Sequence, residues 1–94
     1  MRIGTFRHKG LKRLFDDDDG SLLPAASVRK LKAILAALQF ADNLSQVETV
    51  PGWKLHPLKA GRKGAYSITV TGNWRLTFRI EGNGVTDLNF EDYH

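Results

Sequence analysis

The last third of the chain alternates between apolar and polar residues. Ala65-Tyr66-Ser67-Ile68-Thr69-Val70 and Trp74-Arg75-Leu76-Thr77-Phe78-Arg79-Ile80 switch character at nearly every step. A period of two marks a strand with one buried face. A third run, Val85 to Tyr93, carries Leu88 and Phe90 on one parity. Thr71-Gly72-Asn73 and Gly82-Asn83-Gly84 link the three runs, and Gly and Asn suit tight turns that need positive φ. Keeping apolar residues opposite apolar ones predicts three-residue links, because a two-residue loop would set Val70 against Arg75 and mix the faces. Val70 then pairs with Trp74, Ile68 with Leu76 and Tyr66 with Phe78. Across the second turn, Leu76 meets Phe90, Arg75 meets Glu91 and Arg79 meets Asp87. One face becomes Tyr66, Ile68, Val70, Trp74, Leu76, Phe78, Ile80, Leu88 and Phe90. The other carries Ser67, Thr69, Arg75, Thr77, Arg79, Asp87, Asn89 and Tyr93. The apolar face needs a cover; the polar, basic face is free to meet a partner.

The cover lies upstream, where the period changes to that of a helix. Lys9 to about Asp17 places Leu11, Leu14 and Phe15 on one side. Asp16-Asp17-Asp18-Asp19 follows at the end where a helix dipole favours cations, so the last turn is expected to fray and Gly20 to end it. Four consecutive aspartates on a turn cannot all face one ion, so the run reads as a solvated loop and no metal site is assigned. A second helix runs from about Pro24 to Ala41, with Val28, Leu31, Leu35 and Leu38 as its stripe and Ile34 and Ala41 widening it. Arg2 to Arg7 reads as a short strand, and Asp42 to Val50 as loop or a short helical turn. Trp53 to Lys59 is a short extended segment that Pro57 confines to a sheet edge or a loop. Ala60-Gly61-Arg62-Lys63-Gly64 is a basic link into the sheet. The order β-α-α-β-β-β-β makes an α+β fold: an antiparallel sheet with two N-terminal helices packed on one face, in a single domain spanning residues 1–94.

Composition narrows the class. There is no cysteine, hence no disulfide framework and no thiolate metal site. No run approaches the length of a membrane span and the N-terminus has no apolar h-region, so a cytoplasmic protein is expected. Net charge is +4, and the isoelectric point is about 9.7. Lys54, Lys59, Arg62, Lys63, Arg75 and Arg79 lie between Glu48 and Glu81 with no acid among them. A basic stripe beside aromatic residues suits a polyanion, nucleic acid first, although a small basic domain also stays soluble this way.

By the strand pairing, Arg75 and the closing Glu91-Asp92-Tyr93-His94 meet at one end of the sheet. His56 and Lys59 reach that end only if the extended segment passes beside it. If they do, two imidazoles, a phenol, a carboxylate and several cations surround one spot. That set suits RNA cleavage without metal or other cofactor. The ribose 2′-hydroxyl is the nucleophile, so the protein has to supply a base, an acid and cations for the phosphorane-like transition state. Histidine titrates near pH 6.5 and serves as either acid or base. Taken singly, each residue has an ordinary reading: His8 as a surface or satisfied core histidine, Tyr93 as a capping aromatic, and Asp92 as an ion-pair partner of Lys54 or Arg75.

Four motifs in order carry a resemblance. Trp53-Lys54-Leu55-His56-Pro57-Leu58-Lys59, Tyr66-Ser67-Ile68-Thr69-Val70, Gly72-Asn73-Trp74-Arg75-Leu76-Thr77-Phe78 and Glu91-Asp92-Tyr93-His94 resemble the HigB branch of the RelE/ParE toxin superfamily. Phe6-Arg7-His8-Lys9-Gly10-Leu11-Lys12 is similar to it as well. The resemblance implies a toxin of a type II toxin–antitoxin pair and a ribosome-dependent endoribonuclease that cuts mRNA in the decoding site, against ribosomal RNA. It also implies a helix-turn-helix antitoxin of the HigA type, through which alone the pair meets operator DNA. Carried over by motif, His56, Lys59, Asp92, Tyr93 and His94 are the expected catalytic residues, and Lys54, Arg62, Lys63 and Arg75 the expected substrate-binding ones. Ala60-Gly61 stands where the family usually has an acidic residue, and the four-aspartate run is a further departure. Two other functions are compatible with the same fold: a ParE-like inhibitor of gyrase, which needs no paired imidazoles, and a non-catalytic RNA- or protein-binding module.

Overall fold

A computed structural model describes residues 1–92. Its elements are β1 (Arg2–Ile3), α1 (Lys9–Asp17), α2 (Ala25–Phe40), the short α3 (Ser45–Glu48), β2 (His56–Pro57), a 3-10 turn (Ala60–Arg62), β3 (Ala65–Thr71), β4 (Trp74–Glu81) and β5 (Gly84–Asp92). The five strands form one sheet in the order β1-β5-β4-β3-β2. Four strands pair antiparallel as expected. β1 differs: it joins β5 in parallel, with Arg2 beside Gly84 and Ile3 beside Val85. Two residues carry no alternation to read, and no hairpin ties β1 to β5, so direction was open.

The helices lie on one face. Leu11, Leu14, Leu31, Ile34, Leu35 and Leu38 pack on Ile68, Leu76, Phe78, Val85, Leu88 and Phe90 in one core. The stripe of α2 is the expected one, except that Ser27 is buried while Val28 is only half-buried. Ser27 is satisfied there by a hydroxyl contact with Thr71 at 3.2 Å, as a buried polar group requires. α1 spans the expected residues, but it ends earlier than Gly20. Asp18 takes the left-handed conformation at φ 54 and its N–H returns to the last turn. Aspartate tolerates that conformation better than most residues. The aspartates also find cations: Lys12 contacts Asp16 at 2.5 Å, Lys32 contacts Asp18 at 2.7 Å and Arg13 contacts Asp19 at 3.6 Å.

The strand register holds in the middle and departs at both turns. Tyr66 pairs with Phe78, Ile68 with Leu76, Arg75 with Glu91 and Leu76 with Phe90. Both loops, however, are two residues long, closed by Thr71–Trp74 and Glu81–Gly84. Gly72 and Gly82 supply the positive φ at the first loop position, the arrangement of a type II′ turn. Face matching survives because each hairpin contains a bulge: an extra residue between Thr69 and Thr71, and another register shift between Thr77 and Arg79. The second shift sets Arg79 opposite Thr86 rather than Asp87, and Asp87 adopts φ 53. It also brings both Val85 and Leu88 into the core, which strict alternation forbids for residues three apart. The edge is as Pro57 requires: His56 pairs with Ser67 and Pro57 with Tyr66 on the outer strand. Among the described residues no helix is long and apolar enough to cross a membrane.

Candidate active site

The chain from Trp53 to Leu58 runs along the β3 edge of the sheet, and Arg62 and Lys63 beyond it reach over the face away from the helices, to Glu91 and Arg79. Trp53 O accepts the Thr69 N–H and Leu58 N–H donates to Ala65 O, each at 2.8 Å, so the segment is stitched along β3. On that polar face Ser67 and Thr77 are fully buried. Alternation alone assigns both to solvent; their burial follows from the side chains over them, His56 on Ser67 and the Arg62–Glu91 pair on Thr77.

That path answers the question left open by the sequence. His56, Lys59, Arg62 and Arg75 line one pocket of about 360 Å³, together with Pro57 and Leu58. Arg75 is opposite Glu91 in the β4–β5 ladder and Trp74 is opposite Asp92, so the pocket sits at the sheet end where β5 terminates. Asp92 is exposed and shares the parity of Trp74 and Phe90, opposite to that of Arg75 and Glu91. Tyr93 and His94 lie outside the described residues. Lys54 and Lys63 are exposed, and neither is among the residues that line the pocket. Each contributes its backbone instead. Lys54 O holds His56, and Lys63 O accepts from Arg79 Nη1 at 2.9 Å.

His56 is held at both ring nitrogens. Nδ1 lies 2.9 Å from Lys54 O, and Nε2 lies 3.2 Å from Ser67 Oγ. A carbonyl only accepts, so Nδ1 carries the hydrogen and Nε2 is left with its lone pair toward Ser67 Oγ. Lys54 reaches this geometry with a left-handed backbone, φ 51. Ser67 can donate to the neutral ring and accept from the charged one, so the contact survives either protonation state.

Arg62 is not simply a loose cation. Its Nη1 and Nη2 meet the two Glu91 carboxylate oxygens at 3.0 and 2.6 Å. Thr77 Oγ1 donates to the same carboxylate and Asn89 Nδ2 lies 3.4 Å from it. The hydrogen bonds from Arg62 hold the Glu91 carboxyl below the usual carboxylate range; Thr77 and the charges of Arg62 and Arg75 act in the same direction, against the opposing effect of burial. Glu91 in turn pushes the Arg62 guanidinium up. A second pocket of about 160 Å³ adjoins on the same face, lined in part by Arg7, Arg79, Asp87 and Asn89, and Arg62 and Glu91 border it too. Strand parity places Glu91 beside Arg75 but assigns it no role. Ser67 and Thr77 carried no signal except their position on the polar face.

Comparisons with known proteins agree with this architecture. The family model for HigB-like toxins, described as RelE-like toxins of the type II toxin–antitoxin system HigB, matches residues 4–94. A Proteus vulgaris protein named endoribonuclease HigB is 42% identical over 92 residues, which covers 98% of this chain and 99% of that one. The fold matches the YoeB/ParE toxin from Agrobacterium tumefaciens with a TM-score of 0.59 at 18% identity, covering 97% of this chain and 99% of that one. YafQ from E. coli superposes with a TM-score of 0.58 at 19% identity, covering 98% and 93% of the two chains. The match to the family model over nearly the whole length, together with the 42% identical relative, shows that the chain belongs to the HigB-like family of RelE-like toxins of type II toxin–antitoxin systems.

Proposed function

We propose that this toxin is an endoribonuclease that cleaves mRNA on the ribosome, without a metal, and so stops translation in the cytoplasm. The observation that carries the reading is the meeting of His56, Lys59, Arg62 and Arg75 around one pocket beside the end of β5. The name of the P. vulgaris relative supports the reaction class.

The chemistry uses the substrate's own nucleophile. Removing a proton from the ribose 2′-hydroxyl lets that oxygen attack the adjacent phosphorus. The bond to the 5′-oxygen breaks as that oxygen takes up a proton, leaving a 2′,3′-cyclic phosphate and a free 5′-hydroxyl. His56 Nε2 is the exchangeable position of its ring, fixed by the contact of Nδ1 with Lys54 O, and it shares acid–base work with His94. Asp92 orients an imidazole or acts as the base. Lys59 and Arg75 hold the phosphate and stabilise the charge that builds on its oxygens. Arg62 joins them with the N–H groups that Glu91 does not use, and Tyr93 positions the substrate. Lys54 and Lys63, exposed outside the pocket, extend the basic surface over which the strand runs. DNA lacks the attacking hydroxyl and is spared. A helix-turn-helix antitoxin of the HigA type neutralises the toxin and links it to operator DNA.

The test is cleavage of a defined message by purified protein with and without ribosomes. Products should carry 2′,3′-cyclic phosphate ends and appear only with ribosomes. Undiminished cleavage after replacing both His56 and His94 by alanine would refute the assignment. Intact message alongside inhibited gyrase would move the protein to the other toxic mechanism compatible with this fold.

A further inference from the structure

We propose that Glu91 is a positioning residue. It holds the Arg62 guanidinium as a fixed fork at the edge of the His56 pocket, so that Arg62 presents a set direction of charge to the scissile phosphate. The inference deepens the reading above and rests on it.

Three observations bear on it. The contact is bidentate, with both carboxylate oxygens engaged. A guanidinium has five N–H groups in one plane, so two fixed on Glu91 set the direction of the other three. Glu91 is itself anchored from below by Thr77, which is 2% exposed, and from the side by Asn89. The carboxylate therefore does not follow the arginine; the arginine follows it. Arg62 also sits on a 3-10 turn between exposed Gly61 and the Gly64 entry to β3, where its own backbone gives little restraint. Its side chain borders the pocket shared with His56, Lys59 and Arg75. Lysine could not replace it, since a point charge on a flexible stem cannot be aimed by a carboxylate.

Glu91 also carries a negative charge next to a site for an anion. Ground-state affinity therefore gains nothing from it, and aim is what it supplies. Glu91→Ala is expected to lower kcat for ribosome-dependent cleavage by about 10- to 100-fold, the cost of misplacing a reacting or stabilising group by an ångström or less. KM should stay the same or fall, because a repelling charge has gone. Glu91→Gln, which keeps one acceptor oxygen, should recover part of kcat. In an Arg62→Ala background, Glu91→Ala should change kcat by less than about twofold, since a positioning residue has nothing left to position. A rise in KM at constant kcat overturns the proposal. So does an equal loss of kcat in both backgrounds, which is what a purely structural role would give.

One measurement does not need cleavage. Inorganic phosphate titrated into the isotopically labelled toxin should shift the Arg62 side-chain NMR signals while its two Nη groups stay resolved, as hindered rotation on Glu91 requires. In Glu91→Ala the Nη signals should average. Phosphate that leaves Arg62 unmoved, or Nη groups that already average in the unmodified toxin, overturns the proposal. If the unmodified toxin fails to cut any message yet passes this titration, the assigned reaction is at fault and the fork is not.

Discussion

On one face of the sheet, Ile68, Leu76, Phe78, Leu88 and Phe90 meet α1 and α2 and are at most 5% exposed. On the other, the same strands present Arg75, Arg79, Asn89 and Glu91, all partly open, over a floor of buried Ser67 and Thr77. Both faces belong to the same backbone. The first is held by area removed from water, which is tolerant of which apolar residue supplies it. The second is held by directional contacts that fail one at a time: Ser67 on His56, Thr77 on Glu91, Glu91 on Arg62. Stability and chemistry are thus divided between two sides of one layer, and substitutions should separate them.

The strongest separation is expected at His56. His56→Ala should cut cleavage by about 10²- to 10⁴-fold, the usual value of a positioned acid or base. Its side chain is exposed on an edge strand, so the thermal midpoint should barely move. Phe78→Ala is the mirror image. It deletes a side chain 1% exposed in the centre of the core and should cost about 3–5 kcal/mol of stability, read by urea unfolding. Below the unfolding transition, kcat per folded molecule should change far less than for His56→Ala. A large loss of kcat in fully folded Phe78→Ala would show that the two faces are coupled more tightly than the layer picture allows.

Thr77 tests the seam between them. It belongs to β4, is 2% exposed, and yet donates to Glu91 on the functional side. Thr77→Val keeps the shape and removes the donor, and should cost about 1–3 kcal/mol. Its effect should weaken at acid pH. Glu91 is held below the usual carboxylate range, chiefly by Arg62. A depressed carboxyl contributes stability above its unfolded pKa of about 4.5 and loses it as pH falls through the lower folded value. Below that window the protonated carboxyl no longer rewards the hydroxyl, and the difference between wild-type and Thr77→Val midpoints should shrink.

How far the chain could be read follows the same division. Helix α1, the stripe of α2 and the Arg75–Glu91 pairing follow from period or parity, because burying apolar area imposes a repeat on the sequence; the edge role of Pro57 follows from its missing N–H. The bulges at Val70 and around Asp87 were invisible, since an extra residue restores the face pattern and a parity count cannot see it. The burial of Ser67 and Thr77 was invisible because it depends on side chains that parity does not place over them, His56 on Ser67 and the Arg62–Glu91 pair on Thr77. The convergence of His56 with Arg75 could only be posed as a condition. A two-residue strand beside a proline has no repeat, and its partner is chosen by tertiary pairing. The motif resemblance supplied what periodicity could not, by placing both histidines of the expected site in one family pattern. It did not single out Glu91.

The smallest effect concerns His8, whose sequence reading is that of an ordinary surface or core histidine. Its Nδ1 accepts from the N–H groups of Gly10 and Leu11 at 3.0 and 3.4 Å, capping α1, and its ring stands edge-on to Phe90. The cap works only while Nδ1 is unprotonated. Charging the ring would remove the acceptor and set a cation at the positive end of the helix dipole. Burial lowers the His8 pKa from its ordinary 6.5. A histidine depressed in the folded state contributes stability that is complete above the unfolded pKa and is lost as pH falls from 6.5 through the folded value. His8→Asn keeps a capping oxygen that does not titrate in this range. The variant should match wild-type stability near pH 7.5 and exceed it by up to about 1 kcal/mol at pH 5, the usual value of one cap. Parallel stability curves for the two proteins between pH 5 and 7.5 would mean that the imidazole is not the cap, and that α1 is held on the apolar face by packing alone.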